Sequence, residues 1–113
     1  MPQPWPPPPD LASIEELVRN ADPEGHIAEG AAADEYEPEE EAIFAALSPV
    51  PTNQLVASTI LPVVEQIWRN SFAHDDEAMQ RVRPALLSLA KEIERFFGPD
   101  STPRTRGEIL SGE

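Results

Sequence analysis

Six side chains able to bind a cation or move a proton fall between positions 22 and 35: Asp22, Glu24, His26, Glu29, Asp34 and Glu35. Oxygen and imidazole donors of this kind suit a divalent metal. Their spacing matches no established ligand pattern, because neither the twelve-residue calcium loop nor a His-Glu-x-x-His helix occurs. The stretch therefore reads as an acidic loop without a metal. Nucleophilic chemistry finds less support still: there is no cysteine, no Gly-x-Ser-x-Gly elbow and no phosphate-binding glycine loop, and the chain has only two histidines. Carboxylates are plentiful, but a general acid needs a desolvated pocket, and Glu39, Glu40 and Glu41 read as a solvated run. His74 beside Asp75 and Asp76 reads as a turn and helix cap. The expectation is a protein that is not an enzyme and needs no cofactor. The alternative is a metal-assisted or carboxylate-based enzyme built on residues 22–35.

The element that must position these groups begins at the acidic run Asp34, Glu35, Tyr36, Glu37, Pro38, Glu39, Glu40 and Glu41, which passes directly into apolar residues ending at Leu47. Proline fits the first helical position and pushes its predecessor out of the α region, so a helix is predicted over 38–47 with Glu37 as its cap. Glu39, Glu40 and Glu41 then occupy the first turn, where carboxylates complement the helix dipole. Tyr36 can pack its ring against that helix while its hydroxyl reaches a backbone group or neighbouring side chain. Asp34, Glu35, Tyr36, Glu37, Glu39, Glu40 and Glu41 are the candidate binding residues.

Three further helices are predicted around this one. Asp10, or Ser13 with Glu16, can cap a helix over 11–20 whose Leu11, Ile14, Leu17 and Val18 share a face. Residues 21–33 contain Asp22, Pro23, Gly25 and Gly30 without a sustained period, and read as a long loop anchored by Ile27. After the break at Pro49 and Pro51, Thr52 caps a helix over 53–70, with Pro62 expected to kink or divide it. A fourth helix over 76–97 has Met79, Val82, Leu86, Leu89, Ala90, Ile93 and Phe97 in helical period, an interior Pro84, and a stop at Gly98 and Pro99. The fold class is all-α, a compact four-helix domain over 11–97. A proline-rich leader over 1–10 containing Trp5, and a polar tail over 98–113, are expected to be disordered.

The 113 residues carry a net charge of −13, unevenly spread: the first fifty hold twelve acids against Arg19 alone, a balance of −11. Such a field repels phosphate backbones and anionic membranes and attracts a basic protein. No apolar run is long enough to span a membrane, and the absence of cysteine suits a reducing cytoplasm.

Asp22 and Pro23 after the first helix, then Asp34, Glu35 and Tyr36 before the second, with Glu39 following, form a pattern that resembles the YugE-like family of small helical bacterial proteins, a family of unknown function. The resemblance covers roughly residues 11–97. It departs from the family at Ala21, where an aromatic is usual, and at His26. What it implies is a compact all-helical fold and no established activity. Charge and fold together lead to the expectation of a protein-binding module that docks on a basic partner, an inhibitor or immunity-type protein being one form.

Overall fold

The computed structural model describes residues 9–30 and 33–101, and among these the chain is all-helical with no strand. Four helices, α1 (Leu11–Ala21), α2 (Glu37–Leu47), α3 (Ala57–Phe72) and α4 (Asp76–Phe97), form a ring of neighbours. α1 packs on α2 and α4, and α3 packs on the same two. The interior holds Ile14 and Val18 of α1, Ile43 and Leu47 of α2, Ile60, Val64 and Trp68 of α3, and Leu86, Leu89, Ile93 and Phe97 of α4. These residues recur at three and four positions apart, which is why each helix buries one stripe. None of the described helices is long and apolar enough to cross a membrane.

Side-chain caps set the starts of two of the four helices. The Asp10 carboxylate accepts from the Ser13 amide at 2.9 Å and starts α1, and the Asp75 carboxylate accepts from the Ala78 amide at 2.8 Å and starts α4. Each such cap is worth about 1 kcal/mol. α2 starts one residue earlier than its proline predicts, with Tyr36 rather than Glu37 in the cap position and Pro38 in the first turn.

The start of α3 is a larger correction. Thr52 opens only a short 3-10 turn, Thr52–Gln54, after which Leu55 leaves helical geometry and turns its side chain into the core. α3 begins at Ala57, whose amide donates to the Glu94 carboxylate of α4 at 2.6 Å. At the same junction Gly98 lies so close to the Leu55 carbonyl that a Cβ there would sit 2.7 Å from its oxygen. The end of α4 thus fixes where α3 begins, a pairing across 37 residues. Pro62 and Pro84 lie inside α3 and α4, and neither divides its helix.

The packed body reaches slightly beyond 11–97, since Pro9 and Ser101 are buried and the Ser101 amide donates to the Gly98 carbonyl. The rest of the proline-rich leader, with Trp5, and the rest of the polar tail lie outside the described residues.

Candidate functional site

α1 ends on Asp22, an aspartate in the left-handed conformation (φ 43°). Its short polar side chain makes that geometry tolerable by bonding locally. One carboxylate oxygen accepts from the Ile27 amide at 3.1 Å and the other from the Ala28 amide at 2.9 Å, closing the chain into a loop around it. The Tyr36 hydroxyl completes the arrangement from the other end of the connection. It donates to Asp22 Oδ1 at 2.6 Å and accepts from the amides of Glu24 at 3.0 Å and His26 at 3.4 Å. Asp22 and Tyr36, at opposite ends of the acidic loop, therefore clasp it shut. Ile27, the expected anchor, is partly buried against the core.

Tyr36 is fully buried, its ring stacked on His26 and tilted against Trp68. Burial, followed by the adjacent Asp22 carboxylate, pushes its phenol well above the ordinary value. Partial burial works against ionisation of Asp22, but the hydrogen bonds from Tyr36, Ala28 and Ile27 prevail and hold its carboxyl below the usual carboxylate range. Both effects favour a protonated tyrosine donating to an ionised aspartate. Such a charge-assisted bond is roughly twice as strong as a neutral one.

Glu24 ties the connection to α3. Its Oε2 lies 2.8 Å from the Trp68 indole nitrogen and 3.0 Å from His74 Nε2. Neither partner was legible from local sequence. Trp68 reads as a core residue on a helical stripe, and only the general need of a buried indole N–H for an acceptor points to a carboxylate somewhere. His74 reaches Glu24 because Ala73 adopts the left-handed conformation (φ 51°) at the end of α3.

The acidic run divides into two kinds of residue. Glu35, Glu37 and Glu41 are exposed, as a solvated surface requires. Glu39 and Glu40 are not, with exposures of 6% and 0%, which corrects the reading of 39–41 as solvated. Tyr36, equally hidden, is also removed from any contact surface. The physical reason is helical period: Tyr36, Glu40, Ile43 and Leu47 lie on one face, and that face is the buried one. Glu40 meets Arg19 of α1 in a two-point contact, Nε to Oε2 at 3.3 Å and Nη2 to Oε1 at 3.4 Å. Burial pushes the Glu40 carboxyl up and Arg19 opposes that push. Burial likewise raises Glu39, against a hydrogen bond from Ser71. The Asp34 side chain lies outside the described residues.

Among the described residues no group of three or more histidine, aspartate and glutamate side chains is placed to hold a metal ion. The side chains of Asp22, Glu24 and His26 instead make their closest side-chain polar contacts with different groups, namely Tyr36, Trp68 with His74, and Glu35. Compared with family models, curated proteins and solved structures, the chain matches none.

Proposed function

We propose that this protein is a binding module that docks on a basic protein through the exposed carboxylates of the connection and of the first turns of α2. The observation that carries this reading is the clasp. Glu29, Glu35, Glu37 and Glu41 are exposed, Glu29 directly after the amides of residues 24–28 that Asp22 and Tyr36 bind, Glu35 beside Tyr36, and Glu37 and Glu41 on α2. Fixing a charged segment before binding lowers the ordering cost of association. Glu39 and Glu40 are already engaged inside the fold, so the contact surface among the described residues is Glu35, Glu37 and Glu41 with Glu29, and excludes Tyr36, Glu39 and Glu40. An inhibitor or immunity-type protein of a bacterial cytoplasm is the form of module that best suits a small, acidic, cysteine-free helical domain.

Membership of the YugE-like family belongs to the same proposal. The meeting of Asp22 with Tyr36 at 2.6 Å supports it, because the two separated halves of the motif then have a shared structural purpose. The test is a pull-down at low and high salt, with the retained protein identified and its association rate measured against a Glu35→Gln, Glu37→Gln, Glu41→Gln variant. A basic partner whose association slows in the variant, and slows less at high salt, supports the proposal. A partner whose association is indifferent to both salt and substitution would sink it.

A further inference from the structure

The chain's two histidines lie 48 positions apart yet converge on one aromatic ring. His26 meets the edge of Phe72 with ring centroids 6.0 Å apart, and His74 stacks on the same ring at 5.5 Å. Each imidazole stands beside a carboxylate. His26 Nδ1 is 3.6 Å from Glu35 Oε1, and His74 Nε2 is 3.0 Å from Glu24 Oε2. Glu24, His26 and Glu35 belong to the connection between α1 and α2, whereas Phe72 and His74 belong to the end of α3 and the turn after it. Ala73 takes the left-handed conformation, which residues other than glycine rarely adopt, and it aims His74 back across this seam.

We propose that the two histidines form a pH-responsive latch that fastens the acidic connection to the end of α3 when they are charged and loosens it when they are neutral. With neutral rings, His74 can still donate one hydrogen bond to Glu24, but His26 Nδ1 makes no hydrogen bond to its carboxylate neighbour at 3.6 Å. Protonation makes both ring nitrogens donors and adds a positive charge beside each carboxylate. The connection then gains one new ion pair and strengthens another.

The surroundings of the two rings favour this sign. Among the described residues the charged groups facing His26 are Glu35, Asp22 and Glu39, all acids. His74 faces Glu24, while its own amide bonds the Arg69 carbonyl. The Arg69 guanidinium is held 2.9 Å from Asp76, and Asp75 is committed to capping α4. A charge on either imidazole therefore enters a corner of net negative charge. Histidine as a residue type changes charge between about pH 5 and 8, so the latch is fastened at the acid end of that interval and loosened at its alkaline end.

Hydrogen exchange on the full chain tests this. The amides of Glu24, His26, Ile27 and Ala28 report on the connection, and those of Leu89 and Ala90 in α4 serve as the internal reference. The protection of the first set relative to the second should be about threefold higher near pH 5.5 than near pH 8, the scale of a partly exposed ion pair. The His26→Gln, His74→Gln double variant keeps a neutral hydrogen-bonding group at each site and should lose this pH dependence. A wild-type ratio that does not change with pH, or a double variant that keeps the wild-type change, overturns the latch. Should the double variant fail to fold, nuclear magnetic resonance titration of the wild type decides. The four connection amides must then shift together with the imidazole protons, and amides that stay still while the imidazoles titrate overturn the proposal.

Discussion

α4 and the connection between α1 and α2 are held in place by different physics. α4 contributes Leu86, Leu89, Ala90, Ile93, Phe96 and Phe97 to the core, and its stability is that of apolar area removed from water. Among the described residues the connection contributes the Tyr36 ring and part of Ile27 to the core, and its backbone between them is held by named polar contacts to Asp22, Tyr36 and Glu24. Packing of the first kind is spread over many atoms and is insensitive to pH. Contacts of the second kind are few, directional and ionisable, so the connection is the part of the molecule that a single substitution or a change of pH can alter without unfolding the rest.

The sharpest break in that comparison should come from the packed side. Leu89→Ala removes a fully buried side chain from the middle of α4 and should lower unfolding free energy by about 2–5 kcal/mol. Denaturant unfolding should show the whole domain losing stability together. On the clasped side, Tyr36→Phe keeps the ring but deletes one hydroxyl that serves Asp22 and two amides. The expected loss is about 1–3 kcal/mol, the cost of leaving buried polar groups unmatched. It should appear mainly as faster hydrogen exchange at residues 24–28, with the α4 amides less affected. Equal acceleration in both regions would show that the clasp is no local device.

How legible each region is in the sequence follows from the same distinction. α4 is readable because a repeat of three and four residues, an aspartate cap and a Gly-Pro stop are all local signals, and the helix runs over Asp76–Phe97 as they predict. α3 is readable in its middle and not at its start, because Ala57 is capped by Glu94 from another helix. The clasp was half legible. The sequence places Tyr36 before α2 with its hydroxyl free to find a partner, but the identity of that partner depends on how α1 and the loop return to it. Burial of Glu40 had a signal that charge obscured. Its spacing to Tyr36, Ile43 and Leu47 puts it on the apolar face, and Arg19 is the lone base of the first fifty residues. Glu24 pairing with Trp68 and His74 had no local signal, since the three come from positions 24, 68 and 74.

Acid titration sharpens the contrast within the polar contacts themselves, because Asp22 and Glu40 should respond with opposite signs. Asp22 is held below its ordinary value, so it contributes stability above the unfolded value of about 3.9 and loses it as pH falls through the lower folded value. Glu40 is raised by burial, so its protonation favours the folded state as pH falls from neutrality through that raised value towards the unfolded value of about 4.3. Unfolding midpoints measured between neutral pH and about pH 3 should therefore show the advantage of wild type over Asp22→Asn shrinking at the acid end. The advantage of wild type over Glu40→Gln should instead grow on acidification, whatever its value at neutral pH. The same sign for both would mean that Arg19 outweighs burial at Glu40.

The smallest effect on stability belongs to the exposed acids, and there the two regions separate by function. Glu37 stands in the first turn of α2, where it complements the helix dipole, Glu41 lies one turn further on, and Glu35 lies just before the helix beside His26. Replacing each with glutamine removes charge and leaves shape, so stability should change by less than about 0.5 kcal/mol per site. Association makes a different demand on the same residues. Exposed charges steer an oppositely charged partner over roughly a Debye length, about 10 Å at 0.1 M salt, and the steering fades as salt rises. The triple variant should therefore keep the wild-type melting temperature at about pH 8, where a neutral imidazole makes no ion pair with Glu35, and lose association rate with a basic partner at low salt, with the two proteins converging at high salt. Neutralising Arg81 and Lys91, exposed on α4, supplies the control, because removing positive charge should leave association with such a partner unchanged or faster. If both variants alter association equally, the acidic connection is a solvated edge of the fold and the partner docks elsewhere.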